Sequence, residues 1–95
     1  MLERHLKIVN RLGLHARAAA KVVRMANSFQ SNVRLERVDA SAMADAKSIL
    51  SLLMLAASRG TELKMKVEGI DETDAANAIS ELFASGFGEE QVASQ

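Results

Sequence analysis

The sequence predicts an α+β domain in which helices cover one face of an antiparallel sheet. Two kinds of apolar periodicity alternate along its 95 residues: strands with every second residue apolar, and helices with apolar residues three and four positions apart. The order of elements is βαββαβα. Half-buried strands of this type suit a sheet that packs against helices on one face and meets water on the other. We therefore expect a single domain over residues 1–88.

Four strands are predicted, three of them from their periodicity. The clearest lies late in the chain, where Leu63, Met65 and Val67 alternate with two lysines. A hairpin through the segment Val38–Ala40 should join the second strand to a short third strand. The predicted strands are Leu2–Val9, Val33–Glu36, Ser41–Ala44 and Leu63–Val67.

The first helix is predicted over Ala16–Asn27, because this segment has one apolar face and one basic face. The basic face comprises Arg17, Lys21 and Arg24. Such a face is ordinarily only solvated, but beside a phosphate-bearing site it would also attract acidic partner proteins. The apolar face comprises Ala19, Val22, Val23 and Ala26.

Two further helices complete the set. The second is predicted over about Ser48–Ala57 and should end before Gly60. Asp71 should cap the third, whose first turn holds acidic residues that suit the helix dipole. After Gly88 the chain is polar, and residues 89–95 are predicted to form a flexible tail. The inner stripe of the third helix is predicted as Ala75, Ala78, Ile79 and Leu82.

Composition argues against several functional classes. The formal net charge is zero and aromatic residues make up 3%, so the basic surplus and stacking rings typical of nucleic-acid binders are missing. The sequence has no cysteine, which excludes disulfides and thiolate chemistry. It has two histidines, which argues against a histidine-rich metal centre. One of them, His5, shares a strand face with Glu3 and Lys7 and is expected to be solvated.

We also expect a cytoplasmic protein without membrane insertion. No apolar run approaches the roughly 20 residues that span a bilayer. The charged N-terminus does not resemble a signal peptide.

The other histidine, His15, is the strongest candidate for a reactive side chain. It falls at or just before the first residue of a helix, after a turn for which Gly13 supplies the backbone freedom. Free backbone N–H groups and the helix dipole at this point attract an anion and favour an uncharged imidazole. Arg17 lies close enough to counter phosphoryl oxygens. A lone histidine would more often be a surface residue or a weak cap, but this combination indicates phosphoryl transfer.

Four short motifs support that interpretation. In chain order they are Gly13–Arg17 (Gly-Leu-His-Ala-Arg), Ala46–Ile49 (Ala-Lys-Ser-Ile), Gly60–Glu62 (Gly-Thr-Glu) and Glu68–Gly69. Together they resemble HPr, the histidine-containing phosphocarrier family of the bacterial phosphoenolpyruvate-dependent phosphotransferase system. The resemblance extends from about residue 6 to residue 83, which is nearly the whole domain.

The resemblance implies an open-faced β-sandwich, with four antiparallel strands and three helices on one side. It also implies that His15 accepts a phosphoryl group on Nδ1 from enzyme I and donates it to an enzyme IIA domain. Arg17 matches the arginine of the family that faces the phosphate. The chain would then be a carrier without turnover of its own, would need no cofactor, and would act as a monomer.

Further sites follow from the same resemblance. The second helix has more apolar residues than a short helix can bury in a two-layer domain, which suggests a docking surface. The resemblance places this surface at Ile49, Leu50 and Leu53, with Ala20 and Arg24 on the first helix. Ser48 is expected to cap the second helix. It also matches the regulatory site that HPr kinase/phosphorylase phosphorylates in many bacteria.

Two departures from the family pattern are visible. Ala18 stands where the family usually has proline after the arginine, which predicts a slightly looser start to the helix without loss of function. The hairpin near Arg37–Ala40 looks longer than usual, but it is distant in sequence from His15.

Two alternatives remain at this point. A ferredoxin-like domain shares the βαββαβ order and would bind a small ligand, such as an amino acid, near Gly13. That alternative leaves His15, Arg17 and the apolar second helix unexplained together, and the order of the strands distinguishes the two folds. A nucleic-acid-binding function ranks third.

Overall fold

The computed structural model describes residues 1–89 as a four-stranded antiparallel sheet with three α-helices packed against it. The strands are β1 (Leu2–Lys7), β2 (Asn32–Arg37), β3 (Met43–Asp45) and β4 (Glu62–Glu68). The helices are α1 (Ala16–Asn27), α2 (Ile49–Leu53) and α3 (Glu72–Ala84), followed by a short 3₁₀ turn at Gly86–Gly88. The predicted α+β class and the open-faced arrangement are confirmed.

The order of the strands decides between the two candidate folds. The sheet runs β1-β4-β2-β3, and every neighbouring pair is antiparallel. A ferredoxin-like sheet has its first and third strands at the centre, whereas here these two strands form the edges. The ferredoxin-like alternative is therefore wrong.

The core lies between the sheet and the helices. Residues that alternate along the strands are buried on the helix side, and the small residues Ala18, Ala19 and Ala26 of α1 are buried as well. On the other face Glu3, His5 and Lys7 of β1 are exposed, so the solvated position expected for His5 is correct. The inward strand residues are Leu6, Val33, Leu35, Ala44, Leu63, Met65 and Val67.

Bounds of α1 agree with the prediction, but two strands are placed differently. The first strand ends at Lys7 rather than Val9, whose side chain is exposed. The third begins at Met43 rather than Ser41. The reason is local: the carboxylate of Asp39 accepts hydrogen bonds from the Ser41 amide at 2.9 Å and the Ser41 hydroxyl at 2.6 Å. This amide is therefore occupied by the turn rather than by the ladder.

The second helix is shorter than predicted, because it ends at Leu53 and not near Ala57. Ala56 has a left-handed backbone with φ of 51°, which a continuing α-helix does not permit. The chain turns at this point so that Leu55 is buried while Leu53 remains partly exposed.

Two predictions for the third helix, its cap and its buried stripe, are wrong. Asp71 precedes the helix but makes no side-chain cap. Its carboxylate accepts hydrogen bonds from the Gln30 amide at 2.8 Å and the Ser31 amide at 2.9 Å. The buried stripe is also rotated from the predicted one, so that Ala78 and Leu82 are only half-buried. The fully buried residues are Ala75, Ala76, Ile79 and Phe83.

This rotation of α3 has a tertiary cause beyond the end of the helix. Phe87 folds back in the 3₁₀ turn, is 1% exposed, and meets Phe83 edge-to-face with ring centroids 4.9 Å apart.

Of the predicted tail, Glu89 is described and makes side-chain contacts, whereas residues 90–95 lie outside the described part of the chain. Among residues 1–89, no helix is long and apolar enough to cross a membrane.

Candidate functional site

His15 occupies the N-cap position of α1, immediately before the first helical residue. The tight turn before it is closed by a hydrogen bond from the His15 amide to the Gly13 carbonyl at 2.9 Å. The first helical hydrogen bond runs from the Ala19 amide to the His15 carbonyl at 2.8 Å. The amides that precede it, from Ala16 to Ala18, therefore face the start of the helix, where an anion is favoured.

The two ring nitrogens of His15 have different partners. Nδ1 accepts a hydrogen bond from the Arg17 amide at 3.2 Å. Nε2 contacts the carboxylate of Glu89. An acceptor at Nδ1 carries no proton, so the proton of the neutral ring lies on Nε2 and is donated to Glu89. The unprotonated nitrogen is therefore Nδ1 at the helix N-terminus, and its lone pair accepts the Arg17 amide.

Asn10 links the turn to Glu89. Its side chain is fully buried, and Nδ2 donates to the Gly13 carbonyl at 2.8 Å and to the Glu89 carboxylate at 3.1 Å. Burial raises the pKa of Glu89, but the hydrogen bonds from His15 and Asn10 outweigh it, so the pKa lies below its usual value. Glu89 is therefore ionised at neutral pH and accepts both hydrogen bonds.

A cleft of about 510 Å³ adjoins His15. Three cationic residues, Arg11, Arg17 and Lys21, line this cleft together with Glu89. Arg17 is exposed, so its guanidinium is accessible to an incoming group. The arrangement favours an anionic group that approaches the Nδ1 side of the ring.

The predicted docking residues lie on α2 and α1, which pack against each other. Ser48 is the N-cap of α2, and its hydroxyl accepts a hydrogen bond from the Ser51 amide at 3.2 Å. Ala20 is half-buried and Arg24 is exposed on α1. Four apolar side chains of α2 and its C-cap are exposed, namely Ile49 at 42%, Leu50 at 70%, Leu53 at 38% and Met54 at 72%.

The sequence does not predict a role for Asn10 or Glu89, and it predicts Lys21 only as part of the basic face of α1. Lys21 in fact donates a hydrogen bond to the Phe87 carbonyl at 2.5 Å. The one sequence signal for this arrangement was Phe87 between two glycines, which marks an anchored turn rather than a loose tail.

Comparison with known proteins assigns the family. The family model for the PTS HPr component phosphorylation site, where PTS is the phosphotransferase system, matches residues 2–85. The chain belongs to the HPr family. Phosphocarrier protein HPr of Xylella fastidiosa (strain Temecula1) is 46% identical over 90 residues, which cover 95% of this chain and 99% of the relative. Phosphocarrier protein NPr of Proteus mirabilis is 42% identical over 87 residues, covering 92% and 96%.

Solved HPr structures agree with the fold. HPr-C-His from Thermoanaerobacter tengcongensis superimposes with a TM-score of 0.88 at 40% identity, covering 95% of this chain and 99% of the other. HPr from Bacillus anthracis gives a TM-score of 0.80 at 28% identity, covering 86% and 95%. The HPr relatives are phosphocarriers of the phosphotransferase system and not enzymes. This chain is accordingly a phosphocarrier without turnover of its own.

Proposed function

We propose that the chain accepts a phosphoryl group from enzyme I on Nδ1 of His15 and passes it to an enzyme IIA domain in the cytoplasm. The observation that supports this most directly is the orientation of the His15 ring. Its Nδ1 lies at the start of α1, within 3.2 Å of the Arg17 amide, and beside the cationic cleft. Phosphoryl transfer needs an in-line nucleophile and groups that balance the charge on the phosphoryl oxygens.

The chemistry requires only groups that the chain supplies. The Nδ1 lone pair attacks phosphorus, a new N–P bond forms, and the N–P bond of the phosphohistidine on enzyme I breaks. The Arg17 amide, freed from Nδ1, and the Arg17 guanidinium can then donate to the phosphoryl oxygens. The reverse sequence of bond changes, with a histidine of IIA as nucleophile, discharges the carrier.

The exposed apolar surface of α2 is the proposed docking site for both partners. Ile49, Leu50 and Leu53 would be covered by the partner, while Arg24 and Ala20 of α1 extend the contact. The exposure of three large apolar side chains side by side on one short helix supports this role. Arg24 would accelerate encounter with acidic surfaces.

Ser48 is proposed as a regulatory site for an HPr kinase/phosphorylase. Its place at the N-cap of α2 supports this, because a helix N-terminus accommodates added negative charge. The same charge would stand next to the apolar surface and would oppose docking of enzyme I.

The decisive experiment is incubation with purified enzyme I and phosphoenolpyruvate, followed by intact-mass measurement. We expect the protein to gain the mass of one phosphoryl group, held by a bond that is labile in acid and stable in alkali. This group should be lost again when a IIA domain is added. His15→Ala should abolish the gain, whereas the matched control His5→Ala should not. Phosphate uptake by His15→Ala, or label on His5, would contradict the proposal.

A further inference from the structure

The carboxylate of Glu89 lies on the side of the His15 ring opposite the proposed phosphoryl site. It contacts Nε2, while Nδ1 accepts the Arg17 amide. Both side chains are largely shielded, with 26% of His15 and 17% of Glu89 exposed. The two contacts agree on one tautomer, with the proton on Nε2.

Independent contacts hold Glu89 in this place. Phe87, two residues before it, is buried against Phe83, and its carbonyl accepts a hydrogen bond from Lys21 at 2.5 Å. The Glu89 amide donates to the Gly86 carbonyl at 3.2 Å. At its carboxylate, the buried Asn10 donates a second hydrogen bond at 3.1 Å. These contacts hold the segment from Phe87 to Glu89 against the turn that precedes His15.

We propose that Glu89 is a positioning residue for His15, which keeps the ring proton on Nε2 and so directs an unprotonated Nδ1 toward the incoming phosphoryl group. The inference rests on the proposed phosphocarrier function and extends it to a residue outside the helix and its motif. A carboxylate that orients a reactive histidine through the opposite nitrogen acts in the same way in hydrolytic triads.

The charge balance of the transfer explains why a carboxylate suits this position. When neutral Nδ1 forms the N–P bond, the ring retains its Nε2 proton and gains a positive charge. The donor histidine of enzyme I leaves with the electron pair of the broken bond. No proton has to move on this chain, and the negative charge of Glu89 offsets the charge that develops on the ring.

The same contact would assist the second transfer. A phosphohistidine ring that keeps its proton on Nε2 departs from phosphorus as a neutral imidazole, which is a better leaving group than an imidazolate. Glu89 therefore favours both loading and discharge, as a carrier requires.

The first test observes the ring itself. Nitrogen-15 NMR of the full-length histidine-labelled protein, at a pH where the ring is neutral, should show Nδ1 unprotonated and a slowly exchanging, downfield-shifted proton on Nε2. Glu89→Ala should lose that proton signal and populate the Nδ1–H form. Glu81→Ala removes an exposed carboxylate of α3 and should leave the ring signals unchanged.

The second test measures phosphorylation of the same proteins by enzyme I. Loss of the carboxylate that orients the histidine costs about 10⁴-fold in a hydrolytic triad, and about tenfold or more for a metal-ligating histidine. We expect a decrease in rate of at least about tenfold for Glu89→Ala, a smaller decrease for Glu89→Gln, which retains an acceptor but not the charge, and no decrease for Glu81→Ala. Melting curves should show that all of them fold.

If Glu89 positions His15, then Glu89→Ala must change both the NMR signals of the His15 ring and the rate of phosphorylation by enzyme I. An unchanged ring signal or an unchanged rate in this variant overturns the proposed role. Those results would leave the proposed function intact, since the parent protein would still be phosphorylated on His15. If the parent protein is not phosphorylated at all, the proposed function itself fails, and the role of Glu89 fails with it.

Discussion

A Cβ atom on Gly13 would lie 2.8 Å from the carbonyl oxygen of Ala57, at a backbone position with φ of +70°. The Leu14 amide donates to the same carbonyl at 2.9 Å, which holds the two segments together. Glycine is therefore required here for its conformation and also for its lack of a side chain. The close approach fixes the turn that presents His15.

Gly13→Ala should consequently destabilise the protein. A left-handed conformation costs a non-glycine residue about 1–2 kcal/mol, and forced contact with rigid backbone adds about 1–3 kcal/mol. We expect the free energy of unfolding, measured with urea, to fall by roughly 3 kcal/mol. Gly60→Ala is the matched control, because φ is +91° but nothing lies within 4 Å. Equal losses in the two variants would contradict the role of the close approach.

Leu50→Glu tests the proposed docking surface. Since 70% of Leu50 is exposed, the charge should remain in water and the melting temperature should change little. The affinity for enzyme I, measured by titration calorimetry, should fall by about tenfold or more, a typical loss for an interface anchor. Ile70→Glu places the same charge on another exposed apolar residue and should bind normally. A collapsed melting temperature for Leu50→Glu would count against an exposed surface.

Ser48→Asp tests the proposed regulation. Aspartate caps a helix about as well as serine, so the fold should be retained. Phosphorylation by enzyme I should be slower by about tenfold, because the added charge opposes desolvation of the apolar surface during docking. Ser48→Asn is the control, since asparagine caps without adding charge. If both variants are phosphorylated at the parent rate, Ser48 serves only as a cap.

The lowered pKa of Asp71 should make the stability of the fold depend on pH. The hydrogen bonds from Ser31 and Gln30 hold the pKa of this carboxyl below its usual value of 3.8. A lowered pKa stabilises the fold at pH values above 3.8, and this contribution is lost as the pH falls toward and through the folded pKa. Asp71→Asn should therefore lower the melting temperature by several degrees at pH 7, with a smaller difference at pH 3. Asp74→Asn, an exposed carboxylate on the same helix, is the control.

The sequence alone determined the features that depend on neighbours in the chain. The bounds of α1 were predicted from its period because an amphipathic helix is a local pattern, and the placement of His15 before it followed from the glycine turn. The βαββαβα order was also readable, since three strands alternate by themselves and the short third strand follows a predicted hairpin. The role of His15 stays a prediction, which rests on this local geometry and on the motifs shared with the family.

The tertiary structure decided which distant segments meet. The strand order could not be read from periodicity, because each strand presents the same alternation whichever strand lies beside it. Asp71 was predicted as a cap from its local position, yet Ser31, on another segment, binds it instead. Glu89 was predicted as part of a flexible tail, because the glycines on either side of Phe87 indicate a turn but do not show which segment that turn packs against. Burial of that ring brings the carboxylate to His15, and only the packed core can supply that contact.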